Sequence, residues 1–153
     1  PDADMRYRDG TGREFLYRPE GGRGEMMYQV IKSTRSLAAS KGKWVARAIH
    51  PQIIDTRRIA NEMENGSTLK RSDVHAVICE LGEAMAGHLR DGHIVDLRGI
   101  GRFKLELDSK PTDLREDFDR SKIKGVHCIF TPDKMGSVKP MYSDIEFNEL
   151  KEK

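Results

Sequence analysis

The alternation of apolar and polar residues is interrupted once in the stretch "IVDLRGIGRFKLEL", residues 94–107. Apolar residues occupy every second position before the interruption, and they do so again afterwards from Phe103 to Leu107. A period of two predicts β-strands. The interruption is Gly-Ile-Gly at 99–101, and glycine allows the backbone conformations that a sharp bend requires. The pattern therefore predicts a strand, a bend and a long second strand.

Two helices are predicted upstream of this bend. Asp55 is a suitable N-cap for a short helix that ends near Asn65. A longer helix follows, and Asp91-Gly92 ends it. Its apolar residues recur at spacings of three and four, which predicts a wide apolar stripe along one face. The stripe consists of Val74, Val77, Ile78, Leu81, Met85 and Leu89.

The residues before these helices divide into two parts. Residues 1–25 are rich in arginine, glycine and aspartate, and they predict an irregular N-terminal tail. Residues 26–53 contain two β-prone segments, "MYQVIK" and "KWVARAI", on either side of a polar loop, Ser33 to Lys43. This arrangement predicts an additional β-hairpin.

The residues after the bend form a polar segment followed by further β-prone segments. A polar run from Asp108 to Ser121 leads to a predicted return strand, "IKGVHCIF". Pro132 fits the first turn of a short helix that Pro140 would close. The stretch "DIEFNEL" is a last piece with alternating apolar residues.

Composition and charge narrow the possible functions only a little. The 153 residues suffice for one domain with an appendage, and 37% of them are apolar, which predicts a modest core. The formal net charge is +2, which is weak support for a polyanionic partner. No apolar run is long enough for a membrane span and no signal peptide is visible, so we expect a soluble, intracellular protein without a membrane partner.

The two cysteines, Cys79 and Cys128, favour reduced and buried thiols in a reducing compartment, although the sequence also allows them to meet in space. No two histidines are four residues apart and neither cysteine has a CxxC neighbour, so no metal site is predicted. Nucleotide-binding loops, nucleophile elbows and paired catalytic carboxylates are not recognisable either. The sequence thus predicts no catalytic residue, no cofactor and no enzyme activity.

The order of these elements resembles the HU/integration host factor family of small DNA-bending proteins. The residues that carry the resemblance are "LKRSDVHAVICELGEAMAGHLRDGHIVDLRGIGRF", residues 69–103, in which a long helix, a glycine turn, a strand and a GxGxF bend follow one another. Phe130 and Pro132 correspond to the family's residues after the arm. The resemblance covers residues 54–139 as an HU-like domain. The hairpin before it and a C-terminal extension, residues 140–153, resemble longer HU-like proteins of Bacteroidetes-type bacteria and their phages.

The resemblance implies an α+β fold with helices packed on a small antiparallel sheet, a projecting two-stranded arm and an intertwined dimer, either a homodimer or a dimer with a related subunit. The arms would reach around the minor groove of double-stranded DNA and insert an apolar wedge between base steps. The residues implied as DNA contacts are Arg102, Lys104, Lys110, Arg115, Phe118, Arg120, Lys122 and Lys124. Those expected in the dimer core are Val77, Leu81, Met85, Ile100, Phe103 and Phe130.

The arm departs from the family pattern at its tip. The family's Arg-Asn-Pro motif is missing, and the tip reads "DLREDFD". Six basic and six acidic residues lie between Lys104 and Lys124, so the arm is formally neutral. Because phosphate neutralisation supplies most non-specific affinity, we expect weak, salt-sensitive DNA binding or none. Two functions therefore compete: a sequence-nonspecific DNA-bending protein of the cytoplasmic nucleoid, and a structural protein that uses the same fold for protein contacts in a larger assembly such as a phage virion.

Overall fold

The computed structural model describes residues 5–8, 14–17, 24–34, 39, 41–134 and 139–150. The chain divides into two units, which are residues 55–143 and residues 1–54 together with 144–153. Each unit has its own three-stranded sheet. No helix in the described ranges is long and apolar enough to cross a membrane.

The first unit begins with two short strands, β1 (Met5–Arg8) and β2 (Glu14–Tyr17), whose backbones pair antiparallel. This pairing corrects the irregular tail predicted for residues 1–25. The alternation of arginine with Met5 and Tyr7 is a strand pattern. The prediction missed it because the surrounding residues are rich in glycine and aspartate, which favour irregular structure.

The predicted hairpin of the first unit is confirmed. Strands β3 (Glu25–Lys32) and β4 (Trp44–Ala48) pair antiparallel. The Ser33 N–H donates to the Lys43 carbonyl at 2.8 Å and closes the loop between the strands.

Both helices of the second unit form where the sequence predicts them. Helix α1 spans Thr56–Gly66, and the Asp55 carboxylate caps it by accepting the Arg58 N–H at 2.9 Å. Helix α2 spans Arg71–Arg90 and packs against α1.

The sheet of the second unit consists of β5 (Val95–Leu97), β6 (Gly101–Ser109) and β7 (Ile123–Pro132) in the order β5-β6-β7, all antiparallel. Helix α2 contacts β5 and β6. Strand β5 pairs only with the first three residues of β6, so the remainder of β6 and β7 forms a two-stranded ribbon. This ribbon is the predicted arm.

The chain after the ribbon differs from the prediction at Pro132. Pro132 is the last residue of β7 and pairs with Gly101, so it does not open a helix. Proline at a strand end needs no ladder N–H, which is why β7 tolerates it. The rest of the predicted helix, residues 135–138, lies outside the described residues.

The last strand, β8 (Glu146–Glu149), returns to the first unit and pairs parallel with β3, with Phe147 opposite Met26. The sheet of that unit therefore has the order β4-β3-β8. The C-terminal residues supply one of its three strands.

The core of the single chain is thin. Among the described residues, only Ile49, Ala60 and Val74 are buried apolar residues. Cys79 and Cys128 are both free, and both are exposed, which corrects the prediction that they are buried. Cys128 lies on the ribbon opposite Leu105, where the single chain has no second layer to cover it.

Candidate nucleic-acid interface

The bend that starts the ribbon is fastened to the end of β7. The Leu97 carbonyl accepts the Ile100 N–H at 3.0 Å, and Gly99 occupies the third position of this turn with φ at +84°, where a type II turn requires a positive φ. The Gly99 N–H donates to the Asp133 carboxylate at 2.7 Å, and the Asp133 N–H donates back to the Ile100 carbonyl at 3.0 Å. These hydrogen bonds fix the position from which the ribbon departs.

The hydrogen bond from Gly99 also lowers the pKa of Asp133. The Lys134 N–H adds a second hydrogen bond, and the positive charges of Arg98 and Arg102 act in the same direction. Asp133 is therefore held in its ionised form.

Gly101 lies at the base of the ribbon in close contact with β7. Its φ is +148°, and a Cβ there would stand 2.3 Å from the Thr131 carbonyl oxygen and 2.8 Å from the Phe130 ring. A side chain at position 101 would occupy the space of the Phe130 ring. That ring packs against Phe103 on the neighbouring strand, with ring centroids 4.9 Å apart. The second glycine of the bend thus makes room for this aromatic pair.

The ribbon has one apolar and one polar face, as the alternation predicts. Phe103 is paired with Phe130, Leu105 with Cys128, and Leu107 with Val126. Successive residues of a strand point to opposite faces, so these pairs share the apolar face. Its outer end is uncovered in the single chain, with Leu107 62% and Val126 56% exposed.

The polar face carries ion pairs at the base of the ribbon. Arg102 Nε lies 2.9 Å from an Asp96 carboxylate oxygen, and Lys104 Nζ lies 2.7 Å from Glu106. The hydrogen bond and the charge of Lys104 lower the pKa of Glu106. Exposed pairs of this kind contribute little to stability. They do mean that Arg102 and Lys104, both implied as DNA contacts, each have an acidic neighbour.

The cations at the outer end of the ribbon, unlike Arg102 and Lys104, are not in ion pairs with other described residues. Strands β6 and β7 are joined there by a backbone hydrogen bond from Lys110 to Lys122, 2.8 Å long, and by two 3₁₀ turns. Across the described ranges, five of the implied contacts have no carboxylate oxygen within 4.0 Å. These five are Lys110, Arg115, Arg120, Lys122 and Lys124.

Asp119, which directly precedes Arg120, is engaged locally. It accepts the Ser121 N–H at 2.7 Å and also the Ser121 hydroxyl, and these hydrogen bonds, together with the charge of Lys122, lower its pKa. Phe118 lies between the two 3₁₀ turns and is 36% exposed. Leu114, which sequence reasoning did not single out, is also exposed in this tip loop. The tip therefore presents cations outside ion pairs and exposed apolar side chains, alongside the exposed acidic residues Asp113, Glu116 and Asp117.

The residues expected in a dimer core are not buried by the single chain. Val77 on α2 is 64% exposed, and Ile100 and Phe130 are also exposed. Leu81, Met85 and Phe103 are half-buried. The structure brings Phe103 and Phe130 together, but it leaves Val77 without cover.

The fold and the ribbon define an HU-like protein. The family model for HU domains fused to a wHTH, Ig or glycine-rich motif matches residues 25–148, and the chain belongs to this family. This confirms the resemblance on which the predicted fold rests. The match includes strands β3 and β4 of the first unit as well as the helices and the ribbon.

A solved structure shares the fold. It is a protein from Bacteroides vulgatus ATCC 8482, provisionally named a bacterial DNA-binding protein, with a TM-score of 0.61 and 13% sequence identity. The alignment covers 84% of this chain and 49% of that one, so the chain spans about half the length of the protein it matches. No curated protein matches the chain.

Proposed function

We propose that this protein is a non-enzymatic DNA-binding protein that bends double-stranded DNA with its ribbon, without sequence specificity. The observation that carries the proposal is the separation of charge along the ribbon. The cations at its base are ion-paired, whereas those at its tip have no carboxylate oxygen within 4.0 Å among the described residues, and only the charge of Lys122 acts on a nearby carboxylate, that of Asp119. Unpaired Lys and Arg can neutralise phosphates without first breaking an intramolecular pair.

The formal neutrality of the arm is therefore less unfavourable to DNA binding than the residue count indicates. Lys104 is paired with Glu106, and His127 Nδ1 lies 2.9 Å from an Asp108 carboxylate oxygen, so two acidic groups along the strands of the ribbon are also engaged. Phe118 at the tip is the proposed wedge between base steps. The family and the name of the Bacteroides protein support DNA as the partner, and a place in the nucleoid follows from that partner.

The proposed form that binds DNA is a dimer. A chain with three buried apolar residues in its described part exposes Val77, Ile100 and Phe130 close to its sheet and long helix. Exposed apolar area of this kind marks an interaction surface. A second copy that covers it would complete the core and place two ribbons on one assembly.

The decisive experiment compares two double variants that remove the same charge. Arg120→Ala/Lys124→Ala removes unpaired tip cations, and Arg102→Ala/Lys104→Ala removes paired base cations. Binding to a short duplex is measured by fluorescence anisotropy at several salt concentrations. The tip variant should bind more weakly and reduce the slope of log K against log salt by about 2, since it loses about two phosphate contacts. Equal losses in the two variants would contradict a tip-centred interface.

A second candidate function is a structural protein of a larger assembly such as a virion. The observation in its favour is the apolar face of the ribbon, where Leu107 and Val126 remain uncovered. Protein contacts through this face would be lost in Leu107→Glu, whereas DNA binding through the tip cations would persist. Absence of duplex binding by the unmodified protein at low salt would favour this candidate.

A further inference from the structure

The C-terminal end of helix α2 holds two histidines in a fixed relationship. The Gly92 N–H donates to the Leu89 carbonyl at 3.0 Å, and the His93 N–H donates to the His88 carbonyl at 3.0 Å, with Gly92 at φ +82°. This is the Schellman arrangement, in which the side chains three residues before and two residues after the helix end meet. An apolar pair frequently fills these positions; here both are imidazoles.

The two imidazoles approach each other through their Nδ1 atoms, which are 3.4 Å apart. Two nitrogens bound at about 2.0–2.1 Å to one tetrahedral metal ion are separated by about 3.3–3.4 Å. The ring centroids are 5.6 Å apart and the rings are tilted by 47°, so the rings do not stack on one another. The spacing is thus that of two ligands of one ion.

The electrostatic surroundings also favour a cation. The last carbonyls of a helix carry partial negative charge, which stabilises positive charge within the final turn. Arg90, the basic residue between the two histidines in sequence, is directed to the helix backbone, with Nε donating to the Ala86 carbonyl at 3.1 Å. Both histidines are exposed, so an ion can reach them and water can complete its coordination.

We propose that His88 and His93 together bind a divalent transition-metal ion of the class that prefers imidazole, such as Zn²⁺ or Ni²⁺. The ion takes the place between the two Nδ1 atoms. The site differs from the i, i+4 histidine pairs of helices, because the turn after the helix supplies the second ligand. It does not depend on the proposed DNA binding.

The test uses untagged protein in which a second pair of potential ligands has been removed. Cys79 Sγ lies 3.7 Å from His75 Nδ1, so the reference protein is His75→Ala/Cys79→Ser. Isothermal titration with Ni²⁺ and with Zn²⁺ at neutral pH should show binding to the reference. Adding His88→Ala or His93→Ala should each weaken it by about tenfold or more, because a single ligand loses the advantage of an intramolecular partner.

His50→Ala in the same background serves as the matched control and should leave the affinity unchanged. Ni²⁺ should also broaden the amide NMR signals of residues 88–93 before those of the ribbon. Circular dichroism checks that helix α2 persists in each variant. Equal affinity in the reference and in both single variants, or no binding by the reference, would overturn the proposal.

Discussion

Gly99 and Asp133, which are 34 residues apart in the chain, are joined by a hydrogen bond of 2.7 Å between the Gly99 N–H and the Asp133 carboxylate. The bond connects the bend before β6 to the residue after β7. The ribbon consists of these two strands. At its base the start of β6 and the end of β7 are therefore joined by this hydrogen bond and by a second one, from the Asp133 N–H to the Ile100 carbonyl. The direction of the ribbon is therefore set at its base.

Asp133→Asn should destabilise the protein near neutral pH, and the difference from wild type should shrink in acid. The pKa of Asp133 is lowered from 3.8 in the folded state. A carboxyl group whose pKa is lower in the folded protein than in the unfolded protein stabilises the fold at pH values above its unfolded-state pKa. This stabilisation is lost as the pH falls through its folded-state pKa. Thermal unfolding of both proteins between neutral pH and about pH 3 measures this. Asp113→Asn, which changes the same charge in the tip loop, is the control; a constant difference across the range would contradict the prediction.

Gly101→Ala should lower the free energy of unfolding by about 2 kcal/mol or more, because it combines an unfavourable φ with a clash against β7. The matched variant is Gly125→Ala on β7, where a Cβ would meet no atom within 4 Å. That control should change stability by less than about 0.5 kcal/mol. Urea unfolding followed by circular dichroism compares the two, and similar losses would show that the close approach is not the cause.

Phe118→Ala should reduce the bend in a duplex that the protein binds. An apolar wedge unstacks a base step and kinks the helix by about 20–90°. Energy transfer between dyes at the two ends of a short duplex reports the angle. Leu114→Ala, at the other exposed apolar residue of the tip loop, should leave the bend in place. If the Leu114 variant alone straightens the duplex, the wedge has been assigned to the wrong residue.

Val77→Glu should weaken the proposed dimer at least tenfold, which is about 1.4 kcal/mol. The charge would have to be buried where an apolar side chain is expected to meet a second copy. Sedimentation equilibrium measures the change. Ile53→Glu places the same charge at a residue that is 95% exposed and should leave the assembly unchanged. A monomeric wild-type protein at micromolar concentration would contradict the dimer itself.

The parts of the fold that sequence predicts are those that local residues determine. The Asp55 cap, the stripe that begins at Val74 and the Gly-Ile-Gly bend each depend on residues within a few positions of one another, and all three appear as expected. Two contacts between distant residues were not predicted. Asp133 as the partner of Gly99 and the pairing of β8 with β3 depend on which segments meet in space, and period-two alternation does not specify a partner strand.

The candidate site was predicted in outline but not in detail. Sequence identified the arm and its basic residues, yet a count of charges treated Lys104 and Arg120 alike. Only the structure shows that the cations at the base form ion pairs, whereas those at the tip have no carboxylate oxygen within 4.0 Å among the described residues. The exposure of Cys79 and Cys128 was missed for a related reason: burial depends on how many layers cover an element, which one chain's pattern does not specify.

The parallel pairing of β8 with β3 has a consequence for biosynthesis. The ribosome makes β3 more than a hundred residues before β8, so one edge of β3 waits unpaired while the helices and the ribbon emerge. An unpaired strand edge is a template for association with other chains. The first unit is therefore the part of a nascent chain most exposed to aggregation, and release of a chain truncated before Glu146 would make that exposure permanent.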